Sequence, residues 1–297
     1  MSLFVHCRGG AGKGPARTAP VLAAFVVVAL SGLLITRSAP GAAPTSDTLP
    51  AQRDTASITS SISLPAPGQT EILPAVDHPF RRGESLKFAV QYGFIRAGTA
   101  WLEVPEIRDW SGHPVFHLQA RAESNGFFSR FYKVRNRIDS YWDKDGFFSW
   151  RYAEDRHEGG NHFSDEIVFD HDRGEAKYKN GQTFPIPPRV QDALSAFYYT
   201  RTQALPVGGS IVFDYHADKK SAPLQVKILG RETVETPAGK FDCVAIEPVL
   251  NAGGIFKNQG RLVIWLTDDE RRMPVLMKSR VSIGSISVVL VDVRSGA

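Results

Sequence analysis

The sequence predicts a mainly β fold: an antiparallel meander that forms a strongly curved sheet or open barrel, with one or two covering helices. Three observations predict it. Apolar and polar residues alternate with period two in about a dozen short runs, as in half-buried strands. Hairpin chemistry separates several runs, as at Asp145-Gly146, Asn180-Gly181 and Pro237-Ala238-Gly239. One segment, from Val190 to Tyr198, places its apolar residues at helical spacing instead.

The first elements are not part of that domain. Residues 1–41 read as a signal peptide or an N-terminal anchor. Arg8, Lys13 and Arg17 form a positive start, and residues 20–35 are nearly continuously apolar. That stretch is long for a signal core and short for a spanning helix. Small residues follow, and cleavage after Gly41 places Ala39 and Gly41 at the two small positions. Both outcomes put the bulk of the chain outside the cytoplasm, with membrane contact only through the N-terminal segment if it stays. The run Gly9-Gly10-Ala11-Gly12-Lys13-Gly14 is no phosphate loop, because it lacks the Ser or Thr after Lys and follows no strand. Residues 42–77 are rich in Pro, Ala, Ser and Thr and carry no apolar period, so they read as a disordered tether.

Residues 78–297 read as a single β-rich domain. Leu86, Phe88, Val90 and Tyr92 alternate with Lys87, Ala89 and Gln91 to open it. A turn at 93–96 leads to a return strand over 97–104. Further strands are predicted over 115–122, 134–141, 147–154, 162–170 and 175–179. After the helix come 210–215, 224–235, 241–250, 261–267, 275–281 and 286–293. The helix carries Val190, Ala193, Leu194, Phe197 and Tyr198 at helical spacing; Asp192 is its N-cap and Arg201 suits its C-terminal end. Pro206 and Gly208 stop it. A second short helix is expected over 126–132.

Charge excludes one class of partner. The chain has 35 Lys and Arg, 31 Asp and Glu and a formal charge of +4. Arg8, Lys13, Arg17 and Arg37 lie in residues 1–41, which hold no acid, so 31 basic residues face 31 acidic ones in the remainder. A neutral domain lacks the clustered basic surface that nucleic acid requires. Of the two cysteines, Cys7 lies in the export segment, and Cys243 sits in an alternating apolar run as a small buried hydrophobe. The sequence calls for no disulfide, metal or cofactor.

The other candidate sites resolve into ordinary structure. His113 and His117 have the i,i+4 spacing of a helical metal pair, but Pro114 between them and the strand pattern make them surface strand histidines. Residues 170–175 and 268–270 read as polar turns rather than calcium loops. No nucleophile elbow is present, and Ser129, Ser164 and Ser195 lack an activating context. No catalytic residue is assigned.

What stands out is apolarity on both faces of some strands. Leu262, Ile264 and Leu266 alternate with Val263 and Trp265, and residues 288–291 are continuously apolar. Antiparallel strands usually turn one face to water, so such strands either pack a second layer or line a cavity. Phe127, Phe128, Phe131 and Tyr132 form an aromatic cluster suited to a lid.

Several motifs carry a resemblance. They are Gly83-Glu84-Ser85-Leu86-Lys87-Phe88 with Gly98, the run Gln191 to Arg201, the run Glu232 to Phe241, Ile264-Trp265-Leu266-Thr267-Asp268, Pro274-Val275 and Gly284-Ser285-Ile286. In this order they resemble an exported bacterial family, the domain of unknown function catalogued under 3108. The resemblance implies a Gram-negative envelope protein with no assigned activity and no catalytic residues to carry over. A more distant similarity is to periplasmic lipoprotein carriers, whose curved sheet and covering helices enclose a lipid cavity; this is analogy of fold alone. The function expected is therefore a non-enzymatic periplasmic protein that binds or shields an apolar ligand such as a lipid, with Trp101, Phe128, Tyr198 and Trp265 as ligand-binding residues. The alternative is a structural or assembly partner in envelope biogenesis, and the second alternative a hydrolase with an unsignalled site.

Overall fold

The structure is a computed structural model that describes residues 78–250, 261–281 and 284–297. The expected export segment and tether lie outside these residues. Fourteen strands and one helix are present among the described residues. The first half holds β1 (Ser85–Tyr92), β2 (Ile95–Trp110), β3 (His113–Ser124), β4 (Val134–Asp143), β5 (Ser149–Glu158), β6 (Asn161–Asp170), β7 (Glu175–Tyr178) and β8 (Thr183–Pro185). Then come α1 (Ala193–Thr202), β9 (Ser210–Ala217), β10 (Lys220–Thr236), β11 (Gly239–Leu250), β12 (Leu262–Thr267), β13 (Pro274–Val281) and β14 (Gly284–Arg294).

All fourteen strands form one sheet, in the order β8 to β1, then β14 to β9, with every pair antiparallel. The meander is thus joined in its middle, where β1 pairs with β14 (Ser85 opposite Arg294). The sheet is not closed by a ladder. It curves because a single core cluster takes side chains from strands across its whole width, from Phe169 and Tyr178 to Leu224 and Val226. Bulges supply local twist, including those at Lys87/Phe88, Glu103/Glu106 and Ile228/Gly230. Pro105 sits in the second of these, where no ladder hydrogen bond is asked of it. Gly98 has a steric reason: a Cβ there would lie 2.3 Å from the Glu123 carbonyl oxygen of β3.

The one α-helix among the described residues covers the inner face of the curved sheet, which wraps around it. Eight of the ten residues of α1 are buried, including polar Ser195, Thr200 and Arg201. Small Ala193, Ser195 and Ala196 allow this close fit, and Leu194, Phe197 and Tyr198 fill the space around them. A helix buried all round must neutralise the polar groups at both its ends. At the C-terminal end, the fully buried Arg201 guanidinium donates to Glu84 Oε1 at 2.7 Å and Oε2 at 3.0 Å, and to the Arg271 carbonyl at 3.1 Å. It lies 5.0 Å from the Phe80 ring centre and 5.2 Å from that of Tyr198, within cation–π reach.

Three expectations are corrected. The helix over 126–132 is only a 3-10 turn, Phe128–Arg130, because Asn125 Oδ1 accepts from the Phe128 amide and holds a tight loop. The strand expected from 147 begins at Ser149, since Phe147 has φ +60° and completes a turn. β8 was not expected at all; it is three residues long and ends in Pro185, which suits a strand on a sheet edge.

The two sheet edges meet without a ladder. Before α1, Gln191 bridges in parallel to Tyr215 of β9, and the Val190 carbonyl accepts from the Ser149 amide of β5. Beside this, a polar relay crosses the seam. The Lys219 amide donates to Tyr178 Oη at 2.7 Å, and Tyr178 Oη lies 3.0 Å from His216 Nε2. His216 Nδ1 lies 2.8 Å from Ser221 Oγ, which donates to the Pro185 carbonyl at 3.3 Å. The relay is complete with a neutral imidazole, and burial lowers the His216 pKa to about 4.

Two outcomes are expected. Glu84→Ala leaves a buried guanidinium unpaired and should cost about 3–5 kcal/mol in urea unfolding, whereas Glu84→Leu combined with Arg201→Met should recover most of that loss. A single-variant loss below about 1 kcal/mol, typical of solvent-exposed pairs, would count against this account. For His216, the unfolded chain takes up its proton near pH 6.5 and the folded chain only near 4. Between those values the unfolded state binds more protons, so stability should fall as pH drops from about 6.5 towards 4. His216→Gln should flatten that part of the stability profile.

Candidate functional site

The outer face of β10–β14 carries an open groove of about 880 Å³. Its apolar wall is Val263 and Trp265 of β12, Leu229 of β10 and Phe94 from the β1–β2 turn. The bulge at Ile228/Gly230 makes room for it. Leu229 is pushed outward there, and Gly230 has nothing within 4 Å of where its Cβ would stand, so the floor stays low. The alternation of β12 does the rest: Ile264 and Leu266 go to the core, which leaves Val263 and Trp265 half-buried on the outside.

The groove is also charged. Lys278 Nζ lies 5.6 Å from the Trp265 ring centre, and Trp265 Nε1 donates to Glu232 Oε1 at 2.6 Å. Arg231 and Arg261 line the edges and pair away from the ring, with Asp268 at 2.5 Å and Glu247 at 2.8 Å. The apolar strip is thus flanked by the Lys278 ammonium and the Glu232 carboxylate, with both guanidiniums paired at its edges.

The four expected ligand residues do not converge. Trp265 lines the groove. Trp101 lies on the outer face of β2, opposite Lys87 and Arg121, with the Arg121 guanidinium 4.9 Å from its ring centre. Phe128 is half-buried in the 3-10 turn. Tyr198 is fully buried in α1, packed edge-on to Phe80 at 4.8 Å. The lid cluster is open to solvent, with Phe127 and Phe131 at 63% and 77% exposure.

The serines belong to structure. Ser195 joins Asp192, Ser149 and Ser140 in a buried network at the N-terminus of α1. Asp192 Oδ1 accepts from the Leu194 and Ser195 amides at 2.7 and 2.8 Å; Oδ2 accepts from the Ser140 and Ser149 hydroxyls at 2.6 Å each. Burial pushes the Asp192 carboxyl above its usual range, against those four hydrogen bonds. Gln191, next to it, accepts from Trp142 Nε1 at 3.0 Å and donates to the Phe147 carbonyl. Ser129 pairs with Ser124, and Ser164 accepts from Lys179.

His113 and His117 also part. His113 is exposed and stacks on Trp150 at 4.5 Å. His117 is not a surface residue as expected: it is buried, and its Nε2 lies 2.7 Å from Asp139 Oδ1. Burial raises the Asp139 pKa, but hydrogen bonds from His117, Arg137 and Gln119 outweigh it and hold the carboxyl well below the usual range. The 170–175 and 268–270 segments form turns that their own carboxylates cap, Asp170 accepting from the Arg173 amide and Asp269 from the Arg271 amide. Cys243 is buried, and burial pushes its thiol up to about 11.

The family model described as "Protein of unknown function (DUF3108)" matches residues 87–291. The chain belongs to the DUF3108 family. Its matched region spans β2 to β13 and most of β1 and β14, so it takes in the groove, α1 and the seam. No curated protein matches this DUF3108 chain. It is similar to a crystal structure of a β-barrel-like protein of the DUF1849 family from Brucella abortus, at 9% identity and a TM-score of 0.49, over 73% of this chain and 99% of that one. It is also similar to a protein from Bacteroides fragilis, provisionally described as exported and with a YmcC-like fold, at 10% identity and a TM-score of 0.34, over 75% and 100%. A provisionally described lipoprotein from Parabacteroides distasonis matches at 10% identity and a TM-score of 0.34, over 73% and 98%. No helix of the DUF3108 chain among the described residues is long and apolar enough to cross a membrane.

The capping network makes a clear prediction. Asp192→Ala removes the N-cap and leaves two buried hydroxyls without their acceptor, so it should cost about 2 kcal/mol or more in denaturant unfolding. Asp192→Asn keeps one capping oxygen and should cost less.

Proposed function

We propose that the folded domain is a non-enzymatic module of the Gram-negative periplasm that holds an amphiphile, such as a lipid with an anionic head, along the Trp265 groove on its outer face. One observation carries this reading: α1 occupies the inside of the sheet, while the outer groove is open, apolar along Trp265 and Val263, and flanked by Lys278. A ligand of this kind therefore has its place outside the sheet rather than in an enclosed cavity. The groove volume falls in the usual range for small-molecule sites, about 300–1,000 Å³. The periplasmic address rests on residues 1–41.

A second reading draws on the exposed ring pair Phe127 and Phe131, whose centres lie 5.6 Å apart beside the β3–β4 connection. Such a patch favours a docking surface for an assembly partner.

The test uses the full chain and a fluorescent fatty acid. Saturable binding is expected, weakened by roughly tenfold or more in Gly230→Leu, which fills the groove floor, and in Trp265→Ala. Phe127→Ser with Phe131→Ser should leave that binding unchanged. No saturable binding by the wild type, or equal binding by the Gly230→Leu variant, would remove the groove reading.

A further inference from the structure

The β5–β6 hairpin carries a cluster that neither the groove nor the seam uses. Its register sets His157 directly opposite His162, and Asp155, two residues earlier on β5, shares their face. Directly opposed side chains on antiparallel strands start about 4.5–5.5 Å apart at Cβ, and diagonal ones about 7–8 Å apart between residues. The two imidazole rings stack with centres 4.0 Å apart and planes 16° from parallel. Asp155 Oδ1 lies 2.6 Å from His162 Nε2 and 3.7 Å from His157 Nδ1. One donor atom from each of the three lies within 4.8 Å of the others.

We infer that Asp155, His157 and His162 form a binding site for a divalent transition-metal ion, with Zn²⁺ the best match. Two imidazoles and a carboxylate are the donor set that such ions take. Tetrahedral zinc with bonds of about 2.0–2.2 Å puts its ligands roughly 3.3 Å apart. The carboxylate–His157 separation is already near that value. The Asp155–His162 hydrogen bond must open by roughly 0.7 Å to reach it, and the stacked rings must tilt so that both in-plane nitrogen lone pairs meet at the ion. Three protein ligands leave a fourth position for water, and all three side chains are exposed, so ion exchange is unhindered.

The backbone beneath the site is held in place before any ion arrives. The His157 amide donates at 3.1 Å to Oδ1 of Asn136, a buried residue whose Nδ2 donates to Glu158 Oε1 at 2.7 Å. The turn is fastened as well. Gly159, at φ +64°, donates its amide to the Lys133 carbonyl at 2.8 Å. It packs so closely on the Tyr132 ring that a Cβ would lie 2.8 Å from it. Across the face, Arg137 of β4 stands opposite Asp155 and is bound to Asp139 at 2.7 and 3.0 Å. Arg135 stands opposite His157 and lowers the affinity without removing a ligand.

The site is tested on the tag-free full chain, stripped of metal, by titration calorimetry with ZnCl₂ and by electron paramagnetic resonance with one equivalent of Cu²⁺. One ion per chain is expected, with an affinity of roughly micromolar order. The Cu²⁺ spectrum should show coupling to two imidazole nitrogens. His157→Gln, His162→Gln and Asp155→Asn should each weaken Zn²⁺ binding by about tenfold or more, while His113→Gln leaves it unchanged. The three residues are exposed, so the variants should keep the wild-type circular dichroism and melting temperature. Absence of Zn²⁺ binding by the wild type, or binding that survives undiminished in both histidine variants, would overturn the assignment.

Discussion

The structure depends on the burial of one short polar-ended helix inside a single sheet. A helix of ten residues brings unsatisfied amides at one end and carbonyls at the other, and here most of it is buried. Asp192 caps the amides; the Thr202 hydroxyl, the Gln203 amide and the Arg272 guanidinium donate to the last carbonyls, and Glu84 neutralises the buried Arg201 charge of the last turn. Each answer recruits distant strands. Ser140 and Ser149 of β4 and β5 hold Asp192, while Glu84 stands just before β1. The helix therefore ties the start of β1 to β4 and β5 across the interior of the sheet. The curvature of the sheet follows, because every inner face must reach the same core.

That arrangement decides where a ligand has room. The carrier analogy places it inside, under a covering helix. The helix instead takes that position itself, with Tyr198 and Leu194 fully buried. The surplus apolar residues of β12 then appear on the outer face, around Trp265. Apolarity on both faces was a true signal in the sequence, but it marked a core on one side and a groove on the other.

The hairpin-linked strands and the helix caps were legible because they are local, whereas the pairing of β1 with β14 joins segments at the two ends of the domain. Alternation located most strands, Asp192 was readable as an N-cap, and Pro206 with Gly208 as a stop. The edge strand β8 was not, since three residues carry no period. Site residues were harder, because they depend on register. Trp101 and Trp265 read alike in sequence, yet one stacks beneath Arg121 and the other lines the groove with Lys278. Bulges shift the phase within β10 and β13, so counting alternate residues from one end does not tell which face a later residue takes. The His157–His162 pair carries its signal in the Gly159-Gly160 turn that sets the two opposite each other, not in an i,i+4 spacing.

The pairing of β1 with β14 has a consequence for how the chain acquires this form. Ser85 and Arg294 lie at opposite ends of the folded sequence, yet they are neighbours. A chain that becomes available from its N-terminus can build β1 to β8 as successive hairpins. It then waits with one edge of β1 bare until the last strand emerges. Contacts this distant in sequence slow folding, and an unpaired edge invites pairing with other chains. Completion of the sheet therefore waits for β14, and the interval before it is when the molecule most needs shelter from its own kind.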